Sequence, residues 1–449
     1  LYGKQVMPDS KTVVLDINGW YLETNPSTLL GRWTNFKDVV TVNTTDSISI
    51  KILSGITVNT LGGDDKISGT STQIGIQNDG TINTGSGNDK ISGTSTQIGI
   101  QNDGTINTGS GNDTITGTST NTSYDPFFQS SGIRNRGNID TRCGNDTITA
   151  TSSKLFNGGG SNGGVLDNSG TIDTGTGNDT ISSTGTVDRS GSGSAIENTG
   201  SINTGAGDDR ITGIIKGIGN FVGIFNKESS IIDTGAGNDT IIGTGPSTGL
   251  GGILNEGIIN TGDGKDSIIG NADLNGIVNR SIINTGDGND SITGNATSSN
   301  NNGGSGILNS FGTIDTGAGN DTIIGSGDIG IYNSPFLGSN NSTINTGAGN
   351  DTITGSGNVG IYNSPYYANN SSNNSTINTG AGNDTIIGNG LSVGIYNDGI
   401  INTGIGNDIV DALKGGFSSF NPPPPSGGIP PSFNGLGFKG RQSPVNQAS

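Results

Sequence analysis

Isoleucine marks this chain at recurring places. In residues 74–92, "IGIQNDGTINTGSGNDKIS", the apolar side chains Ile76, Ile82 and Ile91 stand among small polar ones. The Ile82 position recurs as Ile106, Ile139, Ile172 and in every later copy, and the Ile91 position as Ile115, Ile148, Ile181 and onward to Val410. Ile76 belongs to "GIQN", echoed as "GIRN" at 132–135, "GILN" at 252–255 and 306–309, and "GIYN" at 330–333, 360–363 and 394–397. Each unit thus offers three short segments rich in Ile and Thr, parted by Gly, Asn and Asp, which is how strands joined by tight corners read. One such segment is too short to stand alone. Stacked coil upon coil, they bury a single thread of isoleucine, so the pattern predicts an all-β chain folded as a three-sided parallel β-solenoid.

Before each Ile91-type position runs an invariant six-residue turn ending in Asp. The Asp recurs as Asp65, Asp89, Asp113, Asp146, Asp179, Asp209, Asp239, Asp266, Asp290, Asp321, Asp351, Asp384 and Asp408, thirteen copies at intervals of 24 to 33 residues. The interval varies while the turn keeps its length, so insertions fall elsewhere in the unit. Two more polar columns run with it. Asn78 and its equivalents, from Asn102 to Asn397, give one Asn per coil, and stacked amides satisfy one another as a ladder. Thr84 and its equivalents open the fixed turn.

Composition supports a thin, repetitive core. The chain has 449 residues, of which 83 are Gly, with hydrophobics at 28% and aromatics at 5%. A compact globule of this length needs more apolar mass, and the fixed isoleucines argue against disorder. The formal charge of −18 speaks against nucleic acid and for cations. No run of 18 apolar residues predicts a membrane span. With no His and one Cys, Cys143, histidine-bearing zinc sites, Cys-His catalysis and an intramolecular disulfide framework are excluded. The chain starts at Leu1, as a processed or an incomplete chain does.

The ends differ from the middle. Residues 1–56 hold Trp20 and Trp33 with alternating strand patterns and are expected to form an N-terminal β cap, 57–411 the solenoid, and 412–449 a tail. The tail has no acid but carries Lys414, Lys439, Arg441, seven prolines and Phe417, Phe420, Phe433 and Phe438.

"TGSGNDKIS" (84–92) and "TGAGNDTIIG" (234–243 and 379–388) resemble the G-G-x-G-x-D-x-U-x nonapeptide of the RTX, or haemolysin-type, calcium-binding repeats. The resemblance covers residues 58–410. It implies export from a bacterium, extracellular calcium and the turn Asp as ligand. The chemistry agrees independently, since calcium takes six to eight oxygens from carboxylates and carbonyls, and glycine lets a turn curl its carbonyls towards one point. Coils stacked about 4.8 Å apart bring the Asp of two coils to one ion, so the expectation is one column of about 12 calcium ions. Like charges at that spacing repel by about 3 kcal/mol at an effective dielectric near 20, a penalty that divalent cations turn into a tie. RTX rolls carry the nonapeptide twice per coil and this chain once. Leu61, Arg142 and Lys265 break the turn's wording, so sites at Asp65, Asp146 and Asp266 are expected to be weaker. The competing reading is plain Asn-Asp turns with solvated carboxylates.

The functional expectation is a secreted calcium-binding structural protein of the bacterial cell surface: fibre, sheath or S-layer-like. It is not read as an enzyme, because no charged cluster is seen to break the repeat. Its expected partners are copies of itself, head to tail through residues 412–449. The alternative is an adhesin that binds a partner such as surface polysaccharide through variable loops, "SPFLGSNN" and "SPYYANNSSNN", with Phe336, Tyr366 and Tyr367 at their tips. Asn- and Ser-rich stretches at 339–343 and 369–376 are candidate glycosylation sites. An ice-binding face is disfavoured, since Lys66, Lys90, Arg210, Ser267 and Thr114 mix in one column. Cys143 reads as an idle substitution rather than an interchain link.

Overall fold

A computed structural model describes residues 3–6, 12–16, 19–22, 25–121, 130–153, 164–187, 192–246, 251–297, 304–335, 341–365, 374–418 and 433–435. The chain divides into two compact units, Leu1–Ala236 and Gly237–Ser449. Every strand in both is β, and both are parallel β-solenoids with three strands per coil, as the Ile columns predict.

One coil shows how the sequence turns the corners. Strand Lys66–Thr70 follows the turn Asp, Ile74–Asn78 forms the second side and Thr81–Asn83 the third. Each pairs in parallel, residue for residue, with its copy in the next coil: Ile67 with Ile91, Ile76 with Ile100, Ile82 with Ile106. All of these isoleucines are at most 1% exposed. Burying one such side chain contributes about 2–3 kcal/mol, so every coil brings its own share of core. Where first and second sides meet, the backbones nearly touch. A Cβ on Gly93 would lie 2.0 Å from the carbonyl oxygen of Gly99, which is why glycine recurs there.

Length variation falls at corners. The added residues 122–129, 154–163, 188–191, 247–250 and 298–303 separate first-side from second-side strands, and 336–340 and 366–373 follow the second side. The variable loops, Phe336, Tyr366, Tyr367 and most of the candidate glycosylation stretches lie outside the described residues.

The solenoid begins earlier than position 57. Strands Asp38–Asn43, Ile48–Ile52 and Thr57–Asn59 form a full coil in register with the next one. Before it, Gly3–Val6 pairs with Asp38–Asn43 and Val13–Asp16 with Ile48–Ile52, while Val13–Asp16, Gly19–Leu22 and Asn25–Gly31 run antiparallel to one another. Val13, Leu15 and Trp20 are buried, and Trp20 meets Trp33 with ring centroids 4.9 Å apart. Antiparallel hairpins thus close the end that parallel stacking leaves open.

At the other end the tail is not wholly separate. Phe417–Ser418 adds to the second side, with Phe417 beside Ile395, and Phe433–Gly435 adds to the third, with Phe433 beside Ile401. Phe417 and Phe433 therefore take the register positions that follow Ile395 and Ile401, Phe417 with its side chain exposed. The rest of the tail lies outside the described residues. No helix among the described residues is long and apolar enough to cross a membrane.

Candidate cation column

Each turn Asp comes off a glycine-containing hairpin and enters the first-side strand. The turn needs left-handed residues: Gly85 has φ 97° and Gly109 φ 97°. A Cβ on Gly109 would meet the Gly85 carbonyl oxygen at 1.8 Å, so successive turns nest too closely for any side chain. Leu61 (φ 79°) and Arg142 (φ 64°) occupy the same position at a steric cost.

The Asp side chains point inward. All thirteen are at most 7% exposed, and those from Asp89 to Asp384 at most 2%. Within each unit, the Oδ1 of an Asp accepts a hydrogen bond from the backbone N–H of the Asp one coil before. The Asp65 N–H donates to Asp89 at 2.7 Å and Asp89 to Asp113 at 2.8 Å in the first unit. In the second, Asp290 donates to Asp321 at 2.8 Å and Asp384 to Asp408 at 3.0 Å. Asp38 starts the column, its N–H donating to Asp65 at 2.7 Å. Sequence reading missed Asp38 because "WTNFKDVV" lacks the turn glycines. The surviving signal was a buried β-branched residue, Val40, two places after the Asp.

The residue before each Asp builds a second ladder in the opposite direction. The Asn112 N–H donates to Asn88 Oδ1 at 2.8 Å and the Asn145 N–H to Asn112 Oδ1 at 2.7 Å, later coil to earlier. These Asn are exposed. Where an acceptor stands before the Asp, the dipeptide ties a turn to both neighbours within its unit, one residue reaching each way; at Lys265, which has no acceptor, this ladder is interrupted. A further ladder runs through the interior, as the Asn column predicts: Asn78 Nδ2 donates to Asn102 Oδ1 at 2.7 Å, and Asn309 to Asn333 at 2.8 Å. A fourth, outward ladder on the third side was not foreseen, in which Asn402 Nδ2 donates to Asn378 Oδ1 and Asn378 to Asn345.

The turn carbonyls do not converge on a point, contrary to expectation. They run along the stack: Ser86 O accepts from the Gly63 N–H, Gly85 O from Ser110 and Asp89 O from Thr114. Thr84 Oγ1 donates to the Thr108 carbonyl of the next coil. The carboxylates are not solvated either, which corrects the competing reading. Burial pushes their acidity weaker, to about 7 for Asp65 and Asp266 and about 6 for Asp89, Asp146 and Asp321, while neighbouring threonine hydroxyls and backbone N–H groups draw them part of the way back.

Does this column suit calcium? The second oxygen, Oδ2, of Asp65, Asp89, Asp113, Asp146, Asp179, Asp266, Asp290, Asp351, Asp384 and Asp408 is buried with no well-formed hydrogen bond, although the threonine hydroxyl that opens the same turn lies near enough to draw several of these carboxyls back toward ionisation. At Asp321 the Thr316 hydroxyl donates to it at 2.8 Å. A buried anionic oxygen left over in coil after coil demands a proton or a cation. The donors are hard oxygens, as calcium requires. Among the described residues, however, no three acidic, His or Cys side chains form a metal-holding group. The column is a line, not a cage. Its donor chemistry fits calcium, with Asp Oδ2 and Thr Oγ1 of adjacent coils as the atoms that would hold it.

One cluster breaks the repeat, which sequence reading did not find. On the second side, Arg134, Asp167 and Glu197 occupy one position of successive coils. Arg134 Nε meets Asp167 at 3.4 Å, and Lys227 Nζ meets Glu197 Oε1. Glu197 is 2% exposed and burial pushes it to about 6 against the pull of Lys227. With its carboxylate covered and paired, the cluster reads as an ionic seam between coils. In the second unit, at the same position of the repeat, Tyr332, Tyr362 and Tyr396 stack at 4.9 and 4.8 Å.

The chain matches no known protein family, no curated protein and no solved structure.

Proposed function

We propose that this is a secreted calcium-binding structural protein of the bacterial cell surface, assembling into fibres, a sheath or S-layer-like material. The observation that carries this reading is the buried Asp column with an oxygen lacking a well-formed hydrogen bond in coil after coil. Calcium bound along that line supplies the positive charge that lets adjacent carboxylates ionise together. The chain's residues do the rest: the backbone N–H of each Asp holds the next carboxylate in place, and the threonine hydroxyl lies beside it. The RTX-like wording of the turn points the same way, and in architecture the chain resembles oscillin, the fibrillar surface glycoprotein of gliding cyanobacteria.

No catalytic role is assigned. An adhesin is the second reading, favoured by the outward tyrosine stack next to the variable loops. Its rings face one another, so they offer edges and hydroxyls to a partner rather than open faces.

Circular dichroism with calorimetric calcium titration tests the main reading. Calcium should bind with a stoichiometry well above one per chain and raise the melting temperature, and magnesium should substitute poorly because it demands a tighter octahedral shell. A melting curve indifferent to calcium and to chelator would sink it.

A further inference from the structure

On the outer surface of the first unit, Lys66 and Lys90 occupy the same position of adjacent coils, directly paired across the strands. Lys37 joins them, and the three lysines with Asp64, Asp65 and Asn88 line a cavity of about 310 Å³. None of the three lysines enters an ion pair among the described residues. Like charges directly opposite on a sheet destabilise it, and the later copies of this position mostly hold Thr or Ser instead. Three lysines against exposed Asp64 and buried Asp65 leave a local excess of positive charge on a chain whose net charge is −18.

The second unit carries the converse. Asp263 and Asp287 occupy the same turn position of adjacent coils, bracketed by the bridge between Gly264 and Gly288. Both are exposed, and neither forms an ion pair among the described residues, although Lys265 stands in the same turn as Asp263. The corresponding turn positions elsewhere are Gly62, Ser86, Ser110, Cys143, Thr176, Ala206, Ala236, Ala318, Ala348, Ala381 and Ile405, all uncharged. From 281 to 413 the chain contains no Lys or Arg at all. Two self-repelling pairs of opposite sign therefore exist, each with its charges one coil apart, and so at matched spacings of about 4.8 Å.

We infer that the Lys66/Lys90 pair, with Lys37 beside it, docks onto the Asp263/Asp287 pair of a second copy of this chain. This contact rests on the assembly reading above and gives it a specific interface. Because the two patches differ, each copy offers one and accepts the other, and the contact propagates instead of closing. The matched spacing sets the register, and the charges steer the encounter.

The test uses the full chain with calcium at low ionic strength, followed by light scattering and sedimentation velocity. Wild type should associate, and salt at about 0.5 M should weaken it, since exposed charges are then screened. K66E/K90E alone and D263K/D287K alone should each associate about tenfold more weakly or worse, with circular dichroism unchanged. An equimolar mixture of the two variants should regain association, because each reversed pair meets its complement. If either variant alone associates like wild type, or the folded mixture does not recover, this contact is overturned while the assembly reading stands. If D263K/D287K alone behaves normally, the lysines serve another anion, such as an acidic polysaccharide. A wild type that stays monomeric overturns both.

Discussion

Without calcium, this protein should have a fold that acid protects and neutral pH destroys. Burial lifts the column carboxyls above their unfolded value of about 3.8, to about 6 at Asp89, Asp146 and Asp321 and about 7 at Asp65 and Asp266. A raised folded value means that the folded state holds the proton more tightly. The stability is therefore fully present below about pH 4 and lost as pH rises through 6 to 7. Each lift of two to three units corresponds to about 3–4 kcal/mol, and these side chains are 0–2% exposed, so solvent does not screen them away. Neighbouring carboxyls titrate as a coupled set, so the values do not simply add. Even a third of their sum, on the order of 5 kcal/mol, rivals the whole stability of an ordinary domain. The assay is a denaturation series in excess EGTA from about pH 8 to pH 4, repeated with saturating calcium. The chelated protein should gain stability towards acid, and the calcium-loaded protein should be nearly flat across that window. Equal midpoints at both pH values in EGTA would show that the column is neither protonated nor charged as argued.

Asp321→Ala removes the acceptor for the Asp290 N–H and should cost about 1–3 kcal/mol in chemical denaturation, whereas Asp408→Ala, at the more exposed end of the column, should cost less. Asn309→Ala breaks bonds with Asn279 and Asn333 and strips a donor from the Gly312 and Thr343 carbonyls, so it should cost about 3 kcal/mol or more. Leu61→Gly should stabilise by about 1 kcal/mol, because glycine takes the left-handed turn position without strain. Its melting temperature should rise, and an unchanged or lower one would count against the strain.

The sides of the coil were legible because each depends on local alternation. Ile76, Ile82 and Ile91 announce three buried strands without reference to anything distant. The interior Asn ladder was legible for the same reason, since one amide per unit at a fixed place has few other uses. The direction of the turn Asp was not. Whether its carboxylate faces water, an ion or the core depends on where its neighbours' N–H groups point, and only stacking decides that. Asp38 was hidden because its turn lacks the glycines, although the next coil imposes the same register on it. Arg134, Asp167, Glu197 and Lys227 are about thirty residues apart in sequence, so their meeting is a product of coil length. The two self-repelling pairs arise in the same way.

The opposed reach of the two residues makes coils that carry Asn or Asp before the turn Asp interchangeable with one another. Residues 65–88 and 89–112 are identical over all 24 positions, and both sit in the stack with the same bonds above and below. Asn88 receives from Asn112 what Asp64 receives from Asn88, and Asp113 receives from Asp89 what Asp89 receives from Asp65. Inserting or deleting one whole coil reconnects each ladder to a partner of the same kind, with no compensating change elsewhere. Length is therefore a quantity that this gene can alter by copying or losing a short segment. A change to one ladder residue within a coil breaks its bonds to the coils on both sides. Such a protein should vary among cells in how many coils it has far more readily than in what a coil is.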